Sequence, residues 1–405
     1  MTARSLMATA AALAAALALS GPAQANSLSG LIRDVPTVTQ PNARVAARSI
    51  NLPYHGGPVL QSNRSHPIFW EPAGSGLTFE PGYESLIETF LIDVAADSHK
   101  TTNVYSLSGQ YHDADGPAAY DSTYGGATVA TDPLPGNGCT EPPTGPGWTV
   151  CLTDAQLEAE IQHVIAAEHL PTSSRDVYFL ITPNGLGSCT DADSSSCALG
   201  GSVSGYCGYH SETDAGVLYA IIPYNAVPGH CLSTNPRPNS SPADPTISTI
   251  SHEHNEMVTD PDGDAWTDAQ GNEDGDLCLM QFGSNLGGSG LTAWNESIHG
   301  GHFFLQEEWS NADSGCKPRA RPDSLWFALA RQRPLGRLVS FSAHGSAPQG
   351  RLIGFQWFFG DGRMGFGRRV SHTFKLPGSY RVLVRAIDSW GNWAFAGRTI
   401  VIRRS

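Results

Sequence analysis

All eight cysteines of this 405-residue chain lie between positions 139 and 316, and the last 89 residues contain none. They are Cys139, Cys151, Cys189, Cys197, Cys207, Cys231, Cys278 and Cys316. The count is even and no two are spaced C-x-x-C, which favours disulfides over a zinc site made of four cysteines. Sequential pairing is expected, because it closes mostly short loops in turn-rich stretches. Disulfides persist in oxidising compartments, and the N-terminus agrees. Arg4, an apolar run from Leu6 to Leu19 and the small residues Gly21-Pro22-Ala23-Gln24-Ala25 follow in the order of a secretory signal peptide. Cleavage is expected after Ala25, leaving an N-terminal extension over 26–54. No later stretch approaches ~20 apolar residues, so no transmembrane segment is expected. The protein is expected to be secreted, extracellular or cell-surface associated.

The charge balance reverses where the cysteines end. Residues 317–405 hold 16 Lys and Arg against 3 Asp and Glu, whereas residues 1–316 hold 8 against 35. The two parts carry formal charges of +13 and −27, so Lys317-Pro318-Arg319 marks a domain boundary. The basic part either docks on the acidic one or adheres to an extracellular polymer: a cell-wall glycan, an anionic polymer or a protein. No nucleic acid is expected as a partner, since the arginines are scattered and no reading motif is present. Charged residues make up only 15% while Gly and Pro number 44 and 28, which excludes coiled coils and helical bundles.

After a linker over 317–324, residues 325–405 alternate in short segments broken by Gly and Pro. Leu338, Phe341, Leu352, Phe355, Trp357, Val382, Val384 and Ile387 recur at strand-like intervals, and Thr399-Ile400-Val401-Ile402 closes the pattern. Roughly seven short strands point to an all-β immunoglobulin-like sandwich. Gly360-Asp361-Gly362 reads as a tight turn and Trp357 as a core anchor. Trp357-Phe358-Phe359-Gly360-Asp361-Gly362, His372-Thr373-Phe374 and Pro377-Gly378-Ser379-Tyr380 resemble the PKD domain. Phe358 stands where that family commonly has Asp. The resemblance implies a non-catalytic spacer or adhesion module of the kind attached to secreted hydrolases.

In the acidic part, amphipathic helices are expected from Tyr83 to Val94 and from Asp154 to Ile165, the second capped by Thr153. Val177–Ile181 and Val217–Ile222 read as buried strands. The domain over 55–316 is therefore expected to be α+β, in mixed layers. Its chemistry lies in Ser251-His252-Glu253-His254-Asn255-Glu256. On a helix, His252 and Glu256 stack one turn apart. Zinc hydrolases with H-E-x-x-H place two ligands this way and use the intervening Glu as general base. Here the fifth residue is Glu, which leaves a metallopeptidase-like helix of the form H-E-x-x-E.

Downstream, Asp260-Pro261-Asp262-Gly263-Asp264 and Glu273-Asp274-Gly275-Asp276 add acids. The expected metal ligands are His252, Glu256, Glu273 and Asp276, with Glu253 as the catalytic residue, His210 and His302 in reserve, and zinc as the ion. Calcium is the alternative ion, held by the looser acidic loop. Asp260, Asp262 and Asp264 match the start of an EF-hand loop, but Ala265 and Gly271 replace its required Gly and Glu.

Residues 55–316 also resemble the plant phosphate-induced, Exordium-like extracellular proteins, which have bacterial relatives. The matching pieces keep their order: Gly57-Pro58-Val59-Leu60, Thr102-Asn103-Val104-Tyr105, Tyr206-Cys207-Gly208-Tyr209-His210, Pro228-Gly229-His230-Cys231, the His252 helix, Trp266, Cys278, and Phe304-Leu305-Gln306 with Trp309 and Cys316. An insert around Cys139 to Trp148 and the added C-terminal module depart from that family. The resemblance implies a secreted, wall-associated protein and no particular reaction. Two functions stay open at this point: a metal-dependent hydrolase, peptidase-like, and a non-catalytic extracellular or cell-wall-associated binding protein whose acids are structural or hold calcium. No G-x-S-x-G elbow or phosphate-binding P-loop supports another enzyme class.

Overall fold

The structure, a computed structural model, describes residues 51–142, 147–200, 204–320, 326–329, 337–346, 351–388 and 393–403. The expected signal peptide (1–25), residues 26–50 and residues 321–324 of the linker lie outside the described residues.

The larger unit is built on a six-stranded sheet. In chain order its elements are β1 (Asn63–Trp70), α1 (Tyr83–Ala96), β2 (Ser122–Tyr124) and β3 (Thr128–Ala130). There follow β4 (Val150–Thr153), α2 (Asp154–Ala167), β5 (Asp176–Ile181), β6 (Leu186–Cys189), β7 (Ser196–Ala198), β8 (Ser204–Tyr206), β9 (Tyr209–Glu212), β10 (Leu218–Ile222) and α3 (Ala243–Thr259). The main sheet runs β2-β1-β5-β10-β9, and β3 also pairs with β1. β1, β5 and β10 are parallel, while β9 closes one edge antiparallel to β10. Strand alternation divides the core. Val177, Phe179 and Ile181 face α1 and α3, whereas Tyr178 and Leu180 face Leu157, Ile161 and Val164 of α2. Helices thus cover both faces, and the central strands are nearly all buried. The mixed layers expected from the sequence are present, with the parallel centre that helical crossovers require.

Each helix has local causes. Gly82, in the left-handed region at φ 86°, starts α1. Thr153 precedes α2, and its N–H donates to Gln156 Oε1 (3.0 Å). Pro261 follows the end of α3, where the residue before a proline is driven out of the helical region.

A second sheet, β4-β6-β7-β8, carries the disulfides Cys139–Cys151 and Cys189–Cys197. Cys207–Cys231 and Cys278–Cys316 complete the sequential pairing. Two hairpins, β11 (Glu296–Ile298) with β12 (Gly301–Phe303) and β13 (Glu308–Ser310) with β14 (Gly315–Lys317), end this unit. Its contacts begin before residue 55, because Asn311 bonds both the N–H and the carbonyl of Leu52 (2.8 and 2.9 Å).

The C-terminal unit contains β15 (Trp326–Leu329), β16 (Leu338–His344), β17 (Leu352–Phe358), β18 (Met364–Phe366), β19 (Arg369–Thr373), β20 (Gly378–Asp388) and β21 (Trp393–Ile402). They form two antiparallel sheets, β15-β16-β19 and β18-β17-β20-β21, around Trp357, Phe341, Phe359, Val382 and Val384. Gly360 and Gly362 have φ of 79° and 85°. Between them Asp361 accepts from Arg363 N–H (3.1 Å) and His372 Nε2 (2.8 Å), and His372 stacks on Phe359. No helix among the described residues is long and apolar enough to cross a membrane.

Candidate metal centre

All 17 residues of α3 are buried, although the helix is mostly polar. Ile247, Ile250 and Met257 pack against the sheet with α1. His254 belongs to that side: its Nε2 meets Asn63 Oδ1 (2.8 Å), and its ring lies edge-on to Tyr105 and Phe179. His252, Glu253 and Glu256 lie against two other pieces of chain. One is the edge strand β9, where Tyr209 enters the α2 core and alternation sends His210 toward α3. The other is the loop after α3, which returns Glu273 and Asp276 to the helix. Thr259 Oγ1 donates to Asp274 Oδ1 (3.0 Å) and Asp276 N–H to Glu256 Oε1 (3.0 Å).

Two groups of ligand-type atoms result, and Glu256 belongs to both. In the first, His252 Nε2 is 3.0 Å from Glu256 Oε1 and 3.9 Å from Asp276 Oδ1. In the second, His210 Nδ1 is 3.1 Å from Glu253 Oε2 and 3.7 Å from Glu256 Oε2. Glu273, expected beside His252, stands instead 3.6 Å from His210 Nε2. Gln306 holds the far edge of His252, with its amide nitrogen 3.0 Å from Nδ1 and 2.7 Å from the Gly275 carbonyl. The Gly275 carbonyl can only accept, so the amide nitrogen stays on that side and its second N–H faces His252 Nδ1; ligation through Nε2, which puts the ring proton on Nδ1, requires Gln306 to turn away from Gly275. His302 lies elsewhere, stacked on Trp294. Asp260 is engaged with backbone, accepting from Ala265 and Trp266 N–H (2.7 and 3.0 Å), which removes the first residue of the EF-hand match.

The electrostatics are those of an uncompensated site. Burial pushes Glu253, Glu256 and Glu273 well above the usual carboxylate range, and neighbouring carboxylates push them further. Burial lowers His252 and takes His210 down to about 3, so both imidazoles are neutral. Glu253 Oε1, Glu256 Oε2, both oxygens of Glu273 and His252 Nε2 are buried without a hydrogen bond. The 3.0 Å contact of His252 with Glu256 is therefore close but not aligned as a hydrogen bond. Orphaned buried polar atoms cost about 1–3 kcal/mol each, and a divalent ion among them reverses that cost by taking their lone pairs. The donor set, imidazole with carboxylate, suits such an ion.

Backbone approaches the cluster closely at two glycines. A Cβ on Gly275 would lie 2.8 Å from both Glu256 Oε1 and the His252 ring, and one on Gly208 would lie 3.0 Å from Glu253 Oε1. Glu308, buried nearby with both oxygens unpartnered, was not singled out from the sequence. Nor was the place of Gln306 beside His252. A cleft of about 530 Å³, lined in part by Val59, Asp113, Arg175, Glu212 and Asp262, opens beside the loop after α3, and no member of the cluster lines it.

The PKD domain family model matches residues 322–399. A microbial collagenase of Vibrio alginolyticus is 27% identical over 100 residues, covering 24% of this chain and 12% of that protein. The chain thus spans about an eighth of that relative's length. Among solved structures, the PKD1 domain of Vibrio anguillarum Epp is 24% identical and covers 21% of this chain and 98% of its own, with a TM-score of 0.19. OgpA of Akkermansia muciniphila is 12% identical over 90% of this chain and 97% of its own, with a TM-score of 0.25. The chain therefore carries a C-terminal PKD domain.

Proposed function

We propose that this chain is an exported, metal-dependent hydrolase, peptidase-like, in which the PKD domain serves as a spacer or adhesion module on an extracellular polymer. The domain ahead of it, over 55–316, is proposed to be Exordium-like. The observation that carries the reading is the convergence of buried, unpartnered carboxylate and imidazole atoms around Glu256. His252, Glu256 and Asp276 would hold the ion, with Glu273 behind His210. Bound there, a divalent ion such as zinc supplies Lewis acidity and lowers the pKa of a coordinated water toward ~7. Glu253, whose Oε1 has no partner, would be the residue to accept a proton from such a water. Gln306 fixes the His252 ring, and Gly275 and Gly208 let backbone close over the cluster. The likeness to a collagenase agrees with a protein substrate.

The second reading is a structural ion in a non-catalytic binding protein. It is favoured by the burial of the cluster, in which Asp276 retains the largest side-chain exposure, 15%. Elemental mass spectrometry and a protease screen separate the two. Wild type should carry a transition metal that His252→Ala loses, and Glu253→Gln should abolish turnover without unfolding the chain. Equal turnover for wild type and Glu253→Gln would leave the structural reading.

A further inference from the structure

We infer that the centre holds two divalent cations rather than one, the second bound by His210 Nδ1, Glu253 Oε2 and Glu256 Oε2, with Glu256 bridging the pair. The inference rests on the metal reading above and extends it.

The placement of His210 opens the argument. Its Nε2 lies 3.4 Å from the Asp260 carbonyl oxygen, which can only accept, and a ring proton held there leaves Nδ1 as the ligand atom. Glu273 Oε1, 3.6 Å from the same nitrogen, adds a carboxylate behind the ring. A metal-binding histidine has this arrangement, with its N–H tied to a carbonyl or carboxylate and its other nitrogen free. The other nitrogen, Nδ1, points into a fully buried space, within hydrogen-bond distance of Glu253 Oε2 and facing Glu256 Oε2. A proton on Glu253 or a cation among the three atoms satisfies that lone pair, and only the cation also engages Glu256 Oε2, which has no hydrogen-bond partner.

Glu256 is shaped for a bridge. Its Oε1 faces His252 and its Oε2 faces His210, so one carboxylate presents one oxygen to each group. Carboxylate-bridged pairs of cations stand about 3.5–4 Å apart in two-metal sites. Charge counting favours the pair as well. Glu253, Glu256, Glu273 and Asp276 carry four negative charges when ionised, which two divalent ions neutralise and one does not. One imidazole per position and no thiolate select zinc, manganese, iron or cobalt over calcium, which takes oxygen ligands alone. Glu253 would ligate through Oε2 and keep Oε1 for the proton.

The test loads the full chain with Zn²⁺ or Mn²⁺, removes excess ion and measures metal per chain. About two ions are expected in wild type and about one in His210→Ala and in Glu253→Gln. Glu253→Gln preserves side-chain volume, so it decides the matter if His210→Ala fails to fold by near-ultraviolet circular dichroism. Mn²⁺-loaded wild type should show exchange coupling by electron paramagnetic resonance, and Glu253→Gln should show an isolated ion. One ion per chain in wild type, unchanged in Glu253→Gln, would overturn the second position and leave the first standing. No ion in any variant would overturn both.

Discussion

At Asp176, fully buried on β5, Arg64, His66 and Ser173 all donate to one carboxylate, with Arg64 Nε at 2.6 Å and His66 Nε2 at 2.9 Å. Burial by itself would raise this group, but those hydrogen bonds outweigh it and hold Asp176 far below its ordinary 3.8. A depressed native pKa stabilises the fold above the unfolded value, and that stability is lost as pH falls through the native one. Asp176→Asn should therefore cost about 3 kcal/mol at neutral pH, and the gap to wild type should close as the solution is taken below pH 3.8. Thermal melts of both proteins across that range check it; a constant gap would contradict the assignment. At Gly275 the expected effect is different. Gly275→Ala should fold, because its φ of −70° suits any residue, yet bind metal poorly, because the new methyl meets Glu256 and His252. Metal content beside a melting curve reads this directly. His252 and Glu256 were legible in the sequence because both sit on one helix at fixed spacing. His210 was only a reserve, because strand pairing brings it there across 43 positions of chain, and pairing leaves no local signature.

Among the elements, α3 defied its own composition. A helix so polar reads as a surface element, yet every residue of it is buried, since its polar face meets β9 and the returning loop rather than water. The apolar strands β5 and β10 and the helices α1 and α2 followed periodicity closely and were legible. The parallel centre of the sheet was not, because it is set by the order of crossovers. The loop that carries Asp276 is anchored by Cys278–Cys316, which closes a separation of 38 residues. By chain entropy such a bridge contributes about 4 kcal/mol. Replacing both cysteines by Ser should lower the melting temperature and also weaken metal retention, since Asp276 loses its anchor. The same change at Cys139 and Cys151, remote from Asp276 in the second sheet, should lower stability alone. Metal retention through graded chelator challenge distinguishes the two.

For the molecule as a whole, the PKD unit has a core of its own, centred on Trp357, whose Nε1 donates to the Gly367 carbonyl (2.9 Å). Calorimetry should resolve two transitions. Trp357→Ala, worth about 3–5 kcal/mol, should remove the PKD transition and leave metal content unchanged; loss of both transitions together would show that the units fold as one. That module was legible almost residue by residue, because its turn and anchor residues form a contiguous pattern. The burial of α3 has one further consequence. With helix, edge strand and disulfide-anchored loop packed around Glu256 and only Asp276 partly exposed, an ion should enter the folded chain slowly and fill the centre fastest while the loop is still open. For a chain exported as proposed, the loop would close outside the cytoplasm, and the divalent ion free where folding finishes would fill the centre first. Refolding in the presence of metal should fill the centre promptly, whereas ion-free folded protein should load only at the rate at which it opens.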